Sequence, residues 1–522
     1  MTRLPLDKHM FGPINLFEAL FFDAPRNDVT SQSVKQVIRL AIISFVSFGY
    51  ATGVLSGAGP LIEQNLGLNA FDEDILVSAA IIFAGIAAPL GGFIADLLGR
   101  KLTIILSAII CLIGTILSSI ALNLYFLIGA RCIVGIGIGL SFNTVPLYAA
   151  ECVLPYMRGL VVEMSDFCIV GGQLMSGIIN GTFASLVGYG LAWRISLGFG
   201  CIPCFFMLYL VFKAPESPRF LAENDLDAAK IVLATLRDPN QSIDQELQAI
   251  QNQIAIETAT VQTGVWRSKR VIRALYVGMG LQILNQLTGI NTAMFYGGEI
   301  LEKAGFSTIQ SIWGSAGLTL FQIFGVYIAL NTIDTRGRRF TGLRSLALII
   351  PSLILVGFAF VLDQTFLVFI FLAFYLASFG SGLSGISYII NAEIYPLRIR
   401  GRAYSIGGMF YWIINVIVSI IFPIVADAYG AQYPFWAFAV VAIIGFSFYW
   451  FYLPETTDRS LEEIDSFFEC EPYPKPWYKT GFFGLEPPPQ SGLDTPLVPT
   501  TSKSISLNDA PDDNSAANRS VV

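Results

Sequence analysis

The pentapeptide Asp96-Leu97-Leu98-Gly99-Arg100 returns in the second half of the chain as Asp334-Thr335-Arg336-Gly337-Arg338. The same markers follow each copy in the same order. Glu151, Pro155, Arg158 and Gly159 come back as Glu393, Pro396, Arg400 and Gly401, and Pro215-Glu216 with Arg219 comes back as Pro454-Glu455 with Arg459. Each offset is roughly 240 residues, so the second half is a diverged copy of the first. Duplicated membrane units related by an axis along the membrane normal enclose a pathway between them.

Composition says what kind of unit is duplicated. Hydrophobic residues make up 54% and charged residues 13% of the 522, with a mean hydropathy of +0.63, which excludes a soluble globular chain. Twelve apolar runs are long enough to cross a bilayer, beginning near Leu40, Ile75, Thr103, Leu124, Val161, Trp193, Val271, Ile312, Leu343, Phe366, Ala403 and Pro434. The expected fold is an all-α membrane protein of twelve transmembrane helices in two pseudo-symmetric six-helix halves. The segments read as a cytosolic N-terminal stretch (1–39), the first half (40–213), a cytosolic helical linker (214–270), the second half (271–453) and a cytosolic tail (454–522). From Cys470 the tail is rich in Pro, Ser and Asp, a composition that does not fold alone.

Arg and Lys cluster on one side of the weave, at Arg100, Lys101, Arg158, Lys213, Arg219, Arg336, Arg338, Arg339, Arg398 and Arg400. The positive-inside rule makes that side the cytosol and puts both termini there. The net charge of −7 gives no reason to expect nucleic acid as a partner. Cys201-x-x-Cys204 lies within a span of a chain with one histidine, so no metal and no cofactor is expected. Gly135-Ile-Gly-Ile-Gly139 also lies within a span and reads as close helix packing, not as a dinucleotide loop.

One span is not greasy. Gln282-Ile-Leu-Asn285-Gln286-Leu-Thr-Gly289-Ile-Asn291-Thr-Ala-Met-Phe-Tyr296 carries four carboxamides in apolar surroundings. Gln282, Asn285 and Gln286 share one helix face by their i, i+3, i+4 spacing, and Gly289 is a point where the helix loosens and re-aims Asn291. An unpaired buried amide costs about 1–3 kcal/mol, so these groups face protein, water or a hydroxyl-rich ligand.

With those residues laid out, the chain from Leu40 to Ile464 resembles the sugar porter family of the major facilitator superfamily. The matching motifs are Gly91 to Lys101, Glu151 to Gly159, Pro215 to Arg219, Gln282 to Tyr296, Asp334 to Arg339, Glu393 to Gly401, and Pro454-Glu-Thr456 with Arg459 to Glu463. The resemblance implies the major facilitator fold, no enzymatic activity, and a carrier of a small neutral sugar or polyol that works as a monomer in the bilayer, most simply the plasma membrane. Its substrate contacts carry over to Gln173, Gln282, Asn285, Gln286, Asn291, Gln322, Tyr388, Trp412 and Asn415. Asn285, Tyr388 and Gln322 depart from the commoner Gln, Trp and Asn of the family. Gly171-Gly172-Gln173 and Asn391 to Leu397 look more like the myo-inositol and polyol carriers than the glucose carriers.

The charged repeats Asp96, Arg100, Glu151, Arg158, Glu216, Arg219, Asp334, Arg338, Glu393, Arg400 and Glu455 are expected to latch one half to the other when the cytosolic mouth is closed. Exposed pairs contribute only about 0–1 kcal/mol each, so such a latch opens readily. Proton-coupled members of the family carry a first-span Asp within Gly-Tyr-Asp-x-Gly, paired with a fourth-span Arg. Here the pattern reads Gly49-Tyr50-Ala51-Thr52-Gly53, while Arg131 keeps the Arg position, which implies uniport. Asp166 is an intramembrane carboxylate with a functional role by default, in substrate binding or in an alternative proton coupling. A non-transporting sugar sensor is the alternative from another class, although the tail shows no recognisable signalling module.

Overall fold

The computed structural model describes residues 32–154, 158–237, 242–260, 265–396, 399–457, 464 and 467–468. The chain divides after Pro476 into two units, and the described residues all belong to the first. The side chains of Arg158 and Asp334 and the tail from Cys470 onward lie outside the described residues.

The first half runs through α1 (Gln32–Leu66), α2 (Ala70–Leu98), α3 (Arg100–Ser119), α4 (Leu124–Cys152), α5 (Arg158–Leu186) and a sixth span made of α6 (Tyr189–Phe199) and α7 (Cys201–Lys213). Three short helices, α8 (Pro218–Asn224), α9 (Leu226–Leu236) and α10 (Ile243–Thr260), form the linker. The second half contains α11 (Lys269–Leu287), α12 (Ile290–Phe295), α13 (Gly297–Lys303), α14 (Thr308–Arg336) and α15 (Arg338–Val361). It closes with α16 (Thr365–Gly380), α17 (Leu383–Glu393), α18 (Arg400–Tyr429) and α19 (Gln432–Tyr452).

Among the described residues, eleven segments are long and apolar enough to cross a membrane, one fewer than the twelve expected. The difference is the seventh span, which is broken into α11, α12 and α13 at Gly289 and Tyr296. α12 and α13 are short, while α11, 19 residues long, carries the three amides of one face and three basic residues in its first five, which lower its hydropathy.

The duplicated pentapeptide has a local physical cause. Gly99 and Gly337 adopt φ of 94° and 91°, which lets α2 end and α3 begin within one residue, and α14 end and α15 begin likewise. A new helix opens with unpaired N–H groups and a positive dipole end, and each turn meets that need with a distant carboxylate. The N–H groups of Arg100 and Lys101 donate to Glu216 Oε1, both at 3.1 Å. Those of Arg338 and Arg339 donate to Glu455 at 3.0 and 3.1 Å. The Pro-Glu pairs after the sixth and twelfth spans thus cap the third and ninth, which accounts for the joint recurrence of the two motifs.

The halves meet on the face opposite the linker. A Cβ at Gly298 of α13 would collide with the Ser56 carbonyl of α1, so the two backbones touch there. Gln64 donates to Thr308 Oγ1 at 2.6 Å, and Trp313 Nε1 donates to Ser185 Oγ at 3.3 Å, each across the seam. Toward the linker the halves diverge around a cavity.

Alanine at Gly99 or Gly337 would strain the backbone and bring Cβ to 2.6 Å and 2.5 Å from the capping carboxylates. Each substitution is expected to cost about 1–3 kcal/mol, read as a lower midpoint in thermal unfolding in detergent. Gly129→Ala, at a position on α4 with open space around it, should leave the midpoint unlowered. Equal behaviour of the three variants would contradict this account of the turns.

Candidate functional site

The cavity between the halves encloses about 1990 Å³ and reaches from the centre of the molecule to the linker helices, with Glu223, Gln251 and Trp266 along its mouth. Its inner wall begins at the broken seventh span. Gly289 takes a left-handed φ of 83°, and a side chain there would run into Phe438, so the chain re-aims between α11 and α12 at a residue that has to be glycine. Tyr375 fixes the break by donating its hydroxyl to the Thr288 carbonyl at 2.9 Å.

The amides of this span form a wired chain. Asn291 Nδ2 donates to Gln286 Oε1 at 2.6 Å, and Gln286 Nε2 donates to Asn285 Oδ1 at 3.0 Å. Asn285 Nδ2 then donates to the Leu383 carbonyl at 2.9 Å and to Ser387 Oγ at 3.1 Å, which ties α11 to the start of α17. Asn285, Gln286 and Asn291 line the cavity. Gln282, although on the same helix face, is not among the lining residues: its Nε2 donates to the Ser387 carbonyl at 3.2 Å, one turn deeper against α17. Of the other expected contacts, Asp166, Gln173, Gln322, Tyr388, Trp412 and Asn415 all line the cavity.

Several lining groups have no partner of their own. Gln173 Oε1, Gln322 Oε1 and Trp412 Nε1 are buried polar atoms without a hydrogen bond. A buried polar atom left unpaired carries a desolvation penalty that a bound hydroxyl or water removes. Beside them stands an aromatic wall drawn from both halves. Phe142 of α4 meets Trp412 of α18 edge-on at 5.0 Å and stacks on Tyr411 at 5.6 Å, while Phe48 of α1 lies 5.5 Å from Phe142 and Tyr388 lies 5.8 Å from Tyr411. Phe48 and Phe142 were not expected, and among 41 phenylalanines nothing in their spacing marks them.

Asp166 and Arg131 both line the cavity, but no ion pair joins them. Asp166 Oδ2 accepts from Ser384 Oγ at 2.6 Å, a bond from α5 to α17 and therefore from one half to the other. Arg131 Nη2 donates to the Ala51 carbonyl at 3.0 Å, the residue standing in the Gly-Tyr-x-x-Gly pattern of α1. Ser384 went unnoticed in the sequence because a serine in a span carries no pattern.

At the mouth, the repeated charges form one network per half. Arg100 makes a two-pronged contact with Glu151, Nε to Oε2 at 3.0 Å and Nη2 to Oε1 at 3.2 Å, and reaches Asp96 at 3.1 Å. Ser217 Oγ adds a hydrogen bond to Glu151 at 2.5 Å, and Arg219 approaches it at 3.9 Å. In the second half Arg338 Nη2 contacts Glu393 at 3.3 Å, while Arg400 donates to the Tyr395 carbonyl at 3.2 and 3.3 Å. These pairs stay within a half while the mouth is open.

A family model described as sugar (and other) transporter matches residues 37–468. The chain belongs to the sugar porter family of the major facilitator superfamily. This sugar porter is 32% identical over 433 residues to the glucose transporter GlcP of Staphylococcus epidermidis, covering 82% of this chain and 95% of that protein. It is 31% identical over 451 residues to the major myo-inositol transporter IolT of Bacillus subtilis, with 84% and 94% covered. The human proton myo-inositol cotransporter is 28% identical over 541 residues, with 85% and 83% covered. Among solved structures, the inward open conformation of the xylose transporter XylE from E. coli superposes with a TM-score of 0.70 at 24% identity, covering 83% of this chain and 99% of that one. The porter is thus a multi-pass integral membrane protein, and not an enzyme.

The division of labour among the glutamines is measurable without a ligand. Both glutamines hold an unpaired buried Oε1, but Gln282 also donates to α17, so Gln282→Leu is expected to cost about 1 kcal/mol more stability than Gln322→Leu. Denaturant titration in micelles reads both, and the reverse order would contradict the placement of Gln282.

Proposed function

We propose that this sugar porter carries a neutral hexose or polyol, myo-inositol among them, by alternating access as a facilitative uniporter. The observation that carries the reading is the neutral polar and aromatic lining of the central cavity, in which Gln173, Gln322 and Trp412 each hold a buried polar atom without a partner. Sugar hydroxyls supply donors to the two amide oxygens and an acceptor to the indole N–H, and the aromatic wall covers the C–H faces of a ring. A millimolar affinity requires only about 4 kcal/mol, within reach of a few such bonds. Relatives named for glucose, myo-inositol and polyols support the substrate class.

The linker face is read as cytosolic from its Arg and Lys, with both termini on that side, and the plasma membrane is the proposed location. Access alternates as the seam on the opposite face opens and the mouth closes, bringing the Arg100 and Arg338 networks toward each other. Uniport is supported by Ala51, which offers no titratable side chain where Arg131 docks. One observation favours a second reading, proton symport: the Asp166–Ser384 bond joins the halves through a carboxylate, so its protonation would bear directly on the movement.

Reconstituted protein with labelled myo-inositol and glucose tests the proposal. Saturable equilibration indifferent to an imposed pH gradient is expected. Uphill accumulation under an inward proton gradient, lost in Asp166→Asn, would replace uniport with symport. Saturable binding without flux would make the chain a sensor.

A further inference from the structure

The sealed face holds a carboxylate that the carrier reading does not use. Glu73, in the first turn of α2, is 5% exposed, and its side chain makes no hydrogen bond or ion pair among the described residues. Its Oε1 rests on α1 so closely that a Cβ at Gly59 would collide with it. One residue further along α1, Pro60 lies 3.5 Å from where a Cβ at Gly298 of α13 would stand. Glu73 is therefore buried at the point where α1 and α2 of the first half meet α13 of the second.

The groups around it are of the wrong sign to stabilise an anion. The charged side chains near it include Glu299, Glu63, Glu302 and Asp74. Glu299 gives one oxygen to Lys303 Nζ at 2.6 Å and leaves Oε2 buried without a partner. Lys303, the cation of this neighbourhood among the described residues, divides itself between Glu299 and Asp427 of α18, the latter also at 2.6 Å. The Tyr296 hydroxyl donates to the Ser419 carbonyl at 3.1 Å, and neither Tyr296 nor Glu73 lines the central cavity.

We infer that the sealed seam holds a bound proton on Glu73, taken up as the halves close on that face and released as they part. An ionised carboxylate left with little water, without a donor and among like charges, is disfavoured over the neutral acid; with the seam open, water restores the charge. Closing thus binds a proton and acidity on that face favours the sealed state. The ratio of sealed to open falls as pH rises above the ordinary glutamate value of about 4.3, by up to tenfold per pH unit for one proton. The inference uses the two-state movement of the proposed carrier but neither its substrate nor its coupling.

Spin labels on Leu186→Cys and Leu362→Cys, exposed positions at the ends of α5 and α15 on this face, report the seam by distance measurement. The protein is studied without substrate, in nanodiscs at one pH on both sides, in a background with the native cysteines replaced. The short-distance fraction should dominate at pH 5 and decline toward pH 8. Glu73→Gln should hold the acid value across the range. Glu299→Gln keeps the titrating group but removes a like-charged neighbour, so the midpoint should move to lower pH; that arm decides the matter where Glu73→Gln fails to insert. A flat wild-type profile, a wild-type slope in Glu73→Gln, or an unmoved midpoint in Glu299→Gln would overturn the inference. Uptake experiments are untouched by any of these outcomes.

Discussion

Everything in this protein is arranged around the cost of leaving an amide dry inside a bilayer. Lipid offers no hydrogen bonds, so the carboxamides of the seventh span are held by α17, by one another, or by whatever occupies the cavity. The break at Gly289 follows from the same constraint, since the straight helix would leave Asn291 unable to reach Gln286, which it meets here at 2.6 Å. Where the protein itself supplies no partner, at Gln173, Gln322 and Trp412, the deficit belongs to residues that line the cavity, beside the natural place for a hydroxylated ligand.

The charged motifs answer a different need. Glu216 and Glu455 cap the helices that begin at Arg100 and Arg338, and Glu151 and Glu393 hold the arginines of the same half. Each half is thereby stiffened at its linker end while the mouth between the halves stays open. Polar contacts between halves are instead concentrated at the far seam, and across the cavity the halves are joined by the Asp166–Ser384 bond at 2.6 Å and by the packing of Phe142 on Tyr411 and Trp412. Stiff units joined by a few breakable contacts can rock, and two packings of comparable free energy are what alternating access requires.

Much of this was legible in the sequence because it rests on period and composition. Twelve apolar runs, the tandem repeat and the amides at i, i+3, i+4 are one-dimensional signals, and the helices follow them. The seventh span departs from a single helix for a reason also visible in the chain, the glycine between Leu287 and Ile290. What the sequence left open depends on distance in three dimensions. Helix-face periodicity groups Gln282 with Asn285 and Gln286 but cannot tell which of them α17 covers. The caps at Gly99 and Gly337 join residues more than a hundred positions apart, so Glu216 and Glu455 read as members of a latch. Phe48, Phe142 and Ser384 have no signature at all, and Glu73 looks like an ordinary acid at a helix start until its burial is known.

The most direct measurement is a structure of the purified protein with saturating myo-inositol or glucose. The account predicts density for the sugar in the central cavity, with hydroxyls within hydrogen-bond reach of Gln173 Oε1, Gln322 Oε1 and Trp412 Nε1 and a ring face against the aromatic wall. A cavity filled by an acyl chain, or a sugar bound elsewhere while those three atoms remain unpaired, would contradict it.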